Sequence, residues 1–173
     1  MMRLTVEARP LTWAAVALAA LLWTLALPAA AQREQDFALR FMQQYGAGHD
    51  EVSCTTISPV MMERMMSVAS SENQAHVRSV LARLKSIRVV SAEPGAEAGE
   101  LGRKALQLMA HNARRYRPLE GEQPADSCGG LWTRTKGETI VELVMINTRR
   151  GGLQIFNLTG NMDRAFLQEM MKM

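Results

Sequence analysis

The chain of 173 residues has little of what enzymes and cofactor carriers usually show in sequence. It holds two cysteines, Cys54 and Cys128, and no C-x-x-C pair, so a thiol-redox motif is excluded. Its three histidines, His49, His76 and His111, are scattered over a predicted loop and two different helices. None stands at ligand spacing from another His, Cys or carboxylate, apart from the neighbours His49 and Asp50. No G-x-S-x-G, Walker A, H-E-x-x-H or glycine-rich dinucleotide loop occurs. Aromatic residues are 5% of the chain, and two of the three tryptophans, Trp13 and Trp23, fall in its first 31 residues. Trp132 alone offers no stacking platform for sugars. The net charge of +3 is too weak to argue for nucleic acid. Arg114-Arg115 with Arg117, and Arg149-Arg150, read as solvated loop or helix-end charge, with contact to a membrane or an anionic polymer as the other reading. There is no internal repeat and no low-complexity stretch. These absences predict a protein that is not an enzyme and carries no cofactor.

What is present begins with an export segment. A short basic start containing Arg3 and Arg9 leads into an apolar run, Leu11 to Leu27, and then into Pro28-Ala29-Ala30-Ala31. That order is the pattern of a secretory signal peptide, residues 1–31, cleaved between Ala31 and Gln32. The rival reading is an uncleaved anchor, since 17 residues lie at the lower edge of a membrane span. Pro28 breaks the helix where the peptidase needs extended chain. No cluster of Lys or Arg comes after it to stop transfer. No cysteine stands near the site to accept a lipid, and no twin arginine precedes the run. The expectation is a periplasmic or secreted protein without stable membrane insertion after cleavage. Cleavage removes Arg3, Arg9 and Glu7 and lowers the net charge from +3 to +2. It leaves residues 32–173, one domain of ordinary size.

The mature part alternates helix and strand patterns. Phe37, Phe41 and Tyr45 repeat at i, i+4 and i+8 and predict a helix over 34–45, ended by Gly46-Ala47-Gly48. Residues 51–57 are rich in β-branched side chains and predict a strand. Ser58-Pro59 opens a helix carrying Met61, Met62, Met65 and Met66. Ser71 and Gln74 form a capping-box pair for the next helix, with Val77, Val80, Leu81 and Leu84 inward. A strand comes next over 86–91, and after Pro94-Gly95 a long helix to about Arg115 with Leu101, Ala105, Leu108 and Met109 inward. Residues 116–120 offer a short strand. Residues 131–134, 139–146 and 153–159 predict an antiparallel meander, turned at Lys136-Gly137 and at Arg149 to Gly152. Asn161 is placed to cap a last helix with Phe166, Leu167, Met170 and Met171 on its apolar face. The fold class is α+β: a mostly antiparallel sheet of about five strands, with helices packed mainly on one face.

Three segments carry a family resemblance: VSCTTISPVMMERMM, LKSIRVVSAE, and IVELVMINTRRGGLQIFNLTGNMD. Their spacing resembles the bacterial domain-of-unknown-function family 4252. That family consists of small exported proteins, some of them lipoproteins. It has no established activity, so the resemblance implies no catalytic or binding residue. This chain departs from it in lacking a lipid-accepting cysteine and in a long 121–130 loop that contains Cys128.

Three constellations remain. In an oxidising compartment, Cys54 and Cys128 are candidates for a disulfide, which would contribute about 4 kcal/mol by the chain-entropy model. The other reading makes Cys54 a small core residue and Cys128 a loop thiol. The methionine pairs Met61/Met65 and Met62/Met66 sit at i, i+4, the spacing of a core-facing stripe, with a Cu(I) site of thioethers as the alternative. Glu142 interrupts the apolar strand Ile140 to Ile146. Strict alternation places Val141, Leu143 and Met145 on the core face, and Ile140, Glu142, Val144 and Ile146 on the other. There Glu142 either pairs across strands with an arginine such as Arg134, or anchors an open apolar face that binds a partner. Asn157-Leu158-Thr159 matches a glycosylation sequon but sits in a predicted strand and reads as chance. The sequence therefore predicts an exported envelope protein that binds a protein partner. The alternatives are a carrier of a small ligand or of Cu(I), or an enzyme with an unrecognised site.

Overall fold

The computed structural model describes residues 35–68, 74–119 and 128–171. The Ala31/Gln32 cleavage position and Ser71 of the capping box lie outside them. In chain order the elements are α1 (Phe37–Phe41), which runs into a π-helical turn (Met42–Gly46), β1 (Val52–Ile57), α2 (Pro59–Val68), α3 (Gln74–Leu81), β2 (Leu84–Ala92), α4 (Ala96–His111), β3 (Arg117–Pro118), β4 (Gly129–Lys136), β5 (Thr139–Asn147), β6 (Leu153–Met162) and α5 (Arg164–Met171). The six strands form one antiparallel sheet in the order β1-β2-β6-β5-β4-β3. The α+β class stands, with one strand more than the sequence pattern suggests.

Both faces of the sheet carry helices, rather than mainly one as the sequence pattern suggests. On the first face, Val90, Ala92, Val144, Ile146, Leu153 and Ile155 pack under α1 and α4. The helix α4 buries Ala98, Leu101, Ala105, Leu108 and Met109, the i, i+3, i+4 stripe its sequence predicts. It also presses Gly102 onto the turn after β5, where a Cβ would stand 2.7 Å from Thr148 Cγ2. On the second face, Leu84, Ile140, Leu143 and Met162 pack with Met62 of α2, Val80 of α3, and Phe166 and Leu167 of α5. The last helix starts later than its predicted cap, because Asp163 Oδ1, rather than Asn161, accepts the Phe166 N–H at 2.7 Å.

Turns and bulges set the directions of the side chains in β4 and β5. The β4–β5 hairpin turns through Gly137 at φ +63°, a left-handed conformation suited to glycine. In β5 the register shifts between Ile140 and Glu142 against β6, and in β4 between Arg134 and Thr135 against β5. These bulges break the simple alternation of β5 and re-aim its side chains.

Candidate functional site

Glu142 sits in the middle of the sheet with no solvent exposure. Its Oε1 accepts the Phe37 backbone N–H at 2.6 Å and the Asn157 amide at 3.1 Å. Its Oε2 accepts Arg134 Nε at 2.7 Å, and the Tyr116 hydroxyl lies 3.1 and 3.2 Å from the two oxygens. Arg134 is the cross-strand neighbour of Glu142 in register, so the ion pair is set by the pairing of β4 with β5. Asn157 in turn accepts the Ala38 N–H at 2.8 Å, and Asp36 Oδ1 accepts the Leu39 N–H at 3.0 Å. The first three N–H groups of α1, which no helix satisfies internally, all reach side-chain oxygens. A five-residue helix does not hold by itself. Burial of Phe37, Ala38 and Phe41 and these three bonds fasten it to the sheet.

The surroundings suit a structural role for this cluster. The Tyr116 ring meets Phe37 edge-on at 5.8 Å. Burial first, and then the neighbouring Glu142 charge, push the Tyr116 hydroxyl pKa far above its ordinary value. Tyr116 therefore stays protonated and donates. Every carboxylate oxygen of Glu142 is already engaged, which leaves no acceptor for a substrate proton. Among the described residues no three of His, Cys, Asp and Glu cluster to hold a metal.

The residues singled out in sequence fall differently from expectation. Ile140, Glu142, Val144 and Ile146 are 5, 0, 0 and 1% exposed, so they form no open interaction face. The parity of Glu142, Val144 and Ile146 holds, but their side of the sheet lies under α1 and α4. The bulge turns Ile140 to the opposite side, beside Leu143 and Met162. The Cys54–Cys128 bridge is also corrected. Both thiols are exposed and are not joined, and β2, β6 and β5 lie between β1 and β4. Four strand spacings are about 19 Å, far beyond the Cα separation a disulfide tolerates. Of the methionine stripe, Met62 is buried, whereas Met61 and Met65 are 45 and 60% exposed. Asn157, which reads as a chance sequon in sequence, is fully buried and hydrogen-bonded. A polar residue at the parity of Leu153 and Ile155 is the signal that could have found it.

The open apolar surface is on the second face. Met145 is 39% exposed, although strict alternation assigns it to the core. It lines a cavity of about 260 Å³ together with Leu119, Leu131, Leu143, Phe156, Leu158 and Leu167, all apolar. Strand register explains the grouping, since Leu131, Met145 and Phe156 are direct neighbours across β4, β5 and β6. On the same side of the sheet, α2 exposes Val60, Met61 and Met65 beside a groove of about 700 Å³ whose lining includes Glu63 and Arg78. Among the described residues no helix is long and apolar enough to cross a membrane.

A family model described as a domain of unknown function (DUF4252) matches residues 45–170. No curated protein and no solved structure matches the chain.

Proposed function

The chain belongs to the DUF4252 family, and from that premise we propose that it is an exported, non-catalytic protein of the cell envelope that acts by binding a protein partner through the second face of its sheet. The observation that carries this reading is the cavity around Met145. Its lining is wholly apolar, and an exposed apolar recess of this kind costs solvation unless something fills it. Its volume of about 260 Å³ lies below the roughly 300–1,000 Å³ of small-molecule sites. It matches one or two apolar side chains, the anchor of a protein interface. The exposed Met145, Met61 and Met65 add pliable, polarizable contact surface on the same side. Export rests on the leader read in residues 1–31, which ends in a small-residue cleavage site.

Site-specific photocrosslinking tests the reading. A benzophenone amino acid replaces Met145 in one strain, and Arg103, exposed on α4 across the sheet, in a control. A discrete protein adduct in the envelope fraction from position 145 and not from 103 is expected. Equal adducts, or none at either position, contradict it.

A further inference from the structure

The two edges of the sheet are built differently. At one edge β3 is only two residues long and consists of Arg117 and Pro118, a charged side chain and a residue without an N–H. Short length, charge and proline are the usual guards against pairing with another chain. At the other edge β1 has none of them. VSCTTI is six residues long, uncharged, free of proline and rich in β-branched side chains. It pairs with β2 over six consecutive positions without a bulge. Ser53, Cys54, Thr55 and Thr56 are exposed, and among the described residues no strand lies on its outer side. Alternate residues of such an edge present free backbone N–H and C=O groups.

We propose that the outer edge of β1 is where a second copy of this chain pairs, antiparallel and about a two-fold axis, joining two six-stranded sheets into one. A two-fold sets the strand against its own reverse and keeps each face of the sheet on its own side. With Cys54 on the axis, Cys54 of one copy meets Cys54 of the other, and Ser53 meets Thr55. Hydroxyl pairs of that kind are favourable across strands. About four backbone hydrogen bonds form. No like charges collide: Asp50 and Glu51 lie at the ends of the pairing, and the two copies of Glu51 stand about 20 Å apart. Shifting the axis to Thr55 still leaves the two Cys54 Cβ atoms within about 9 Å. The uncharged, self-complementary strand is what favours a second copy over a foreign extended segment.

Native Cys54 reports on this contact. In the Cys128→Ser protein, a bismaleimide with a short spacer should link Cys54 to Cys54, and sedimentation equilibrium should show twice the monomer mass at high concentration. Adding Thr55→Lys at an exposed position sets two like charges on the same face, diagonal at about 9 Å with Cys54 on the axis and directly opposed with Thr55 on it, and should weaken the dimer by roughly tenfold or more while circular dichroism stays unchanged. A monomer at every concentration with no crosslink overturns the proposal, as does a dimer indifferent to Thr55→Lys. A foreign strand as the true occupant would show as the first of these results.

Discussion

Replacing Glu142 by leucine should cost the domain about 3–5 kcal/mol. The side chain has no exposure and accepts from Phe37 N, Asn157 Nδ2, Tyr116 and Arg134. Leucine fills much of the volume but satisfies none of them. Breaking a buried ion pair from one side costs about 3–5 kcal/mol because the other charge stays behind. The Arg134 side chain is 24% exposed, so water relieves part of its loss and pulls its share toward the low end. The orphaned Phe37 N–H and Asn157 amide restore that margin, at about 1–3 kcal/mol for each buried group left unpaired. The sum is a large fraction of the roughly 5–15 kcal/mol that holds a domain of this size. Urea unfolding followed by circular dichroism, with m-values compared, measures it. The double replacement Arg134→Met with Glu142→Leu removes both charges and should cost less than the two single changes added together, by more than about 1 kcal/mol. A loss under about 1 kcal/mol for Glu142→Leu, or strict additivity in the double variant, would refute the view that this carboxylate fastens α1 to the sheet.

The same geometry predicts four further outcomes. Alkylation of the folded protein without reductant, at a concentration low enough to keep it monomeric, should add two labels, detected by mass, because Cys54 and Cys128 are exposed and not bridged to each other; Cys54 should react more slowly than a fully solvated thiol, since partial desolvation pushes its pKa up. Tyr116→Phe should cost about 1 kcal/mol at neutral pH. It should also flatten the alkaline limb of the stability profile. The folded pKa of Tyr116 is raised by burial and by Glu142, so its contribution is complete below about pH 10 and is lost as pH climbs above that toward the folded value. Chemical denaturation at several pH values between neutral and alkaline checks both statements.

Much of this fold is legible in the sequence because it depends on local pattern. The long helix α4 and the meander of β4, β5 and β6 arise from apolar period and from the turns at Gly137 and Gly151, both at positive φ. What the pattern does not carry is which side of a strand will be covered. A carboxylate in an apolar run usually faces water, which is why the pattern puts Glu142 outside. The donors that allow it inside are mostly distant in sequence, and one, the Phe37 N–H, is backbone and invisible to any side-chain pattern. The same inversion carries to Met145, which stands on the open side. A bulge adds a residue without announcing itself, so alternation cannot separate Ile140 from Glu142. The cysteine pairing fails for a topological reason: two cysteines behind an export-type leader suggest a bridge, but strand order, not spacing in sequence, sets their distance. Met61 and Met65 do share a stripe, as their spacing requires, but the sheet takes Met62 instead.

The proposed partner contact lies at the apolar recess around Met145. Its most direct test is titration of the partner recovered by the crosslink against the protein carrying Met145→Glu. Met145 is partly exposed and borders the cavity, so the substitution should leave the unfolding free energy within about 0.5 kcal/mol of the parent. A glutamate there places an unpaired charge in an apolar contact, and affinity should fall by tenfold or more, a loss of about 1.4 kcal/mol or greater. An unchanged affinity in a folded Met145→Glu protein would contradict the account and move the binding surface elsewhere.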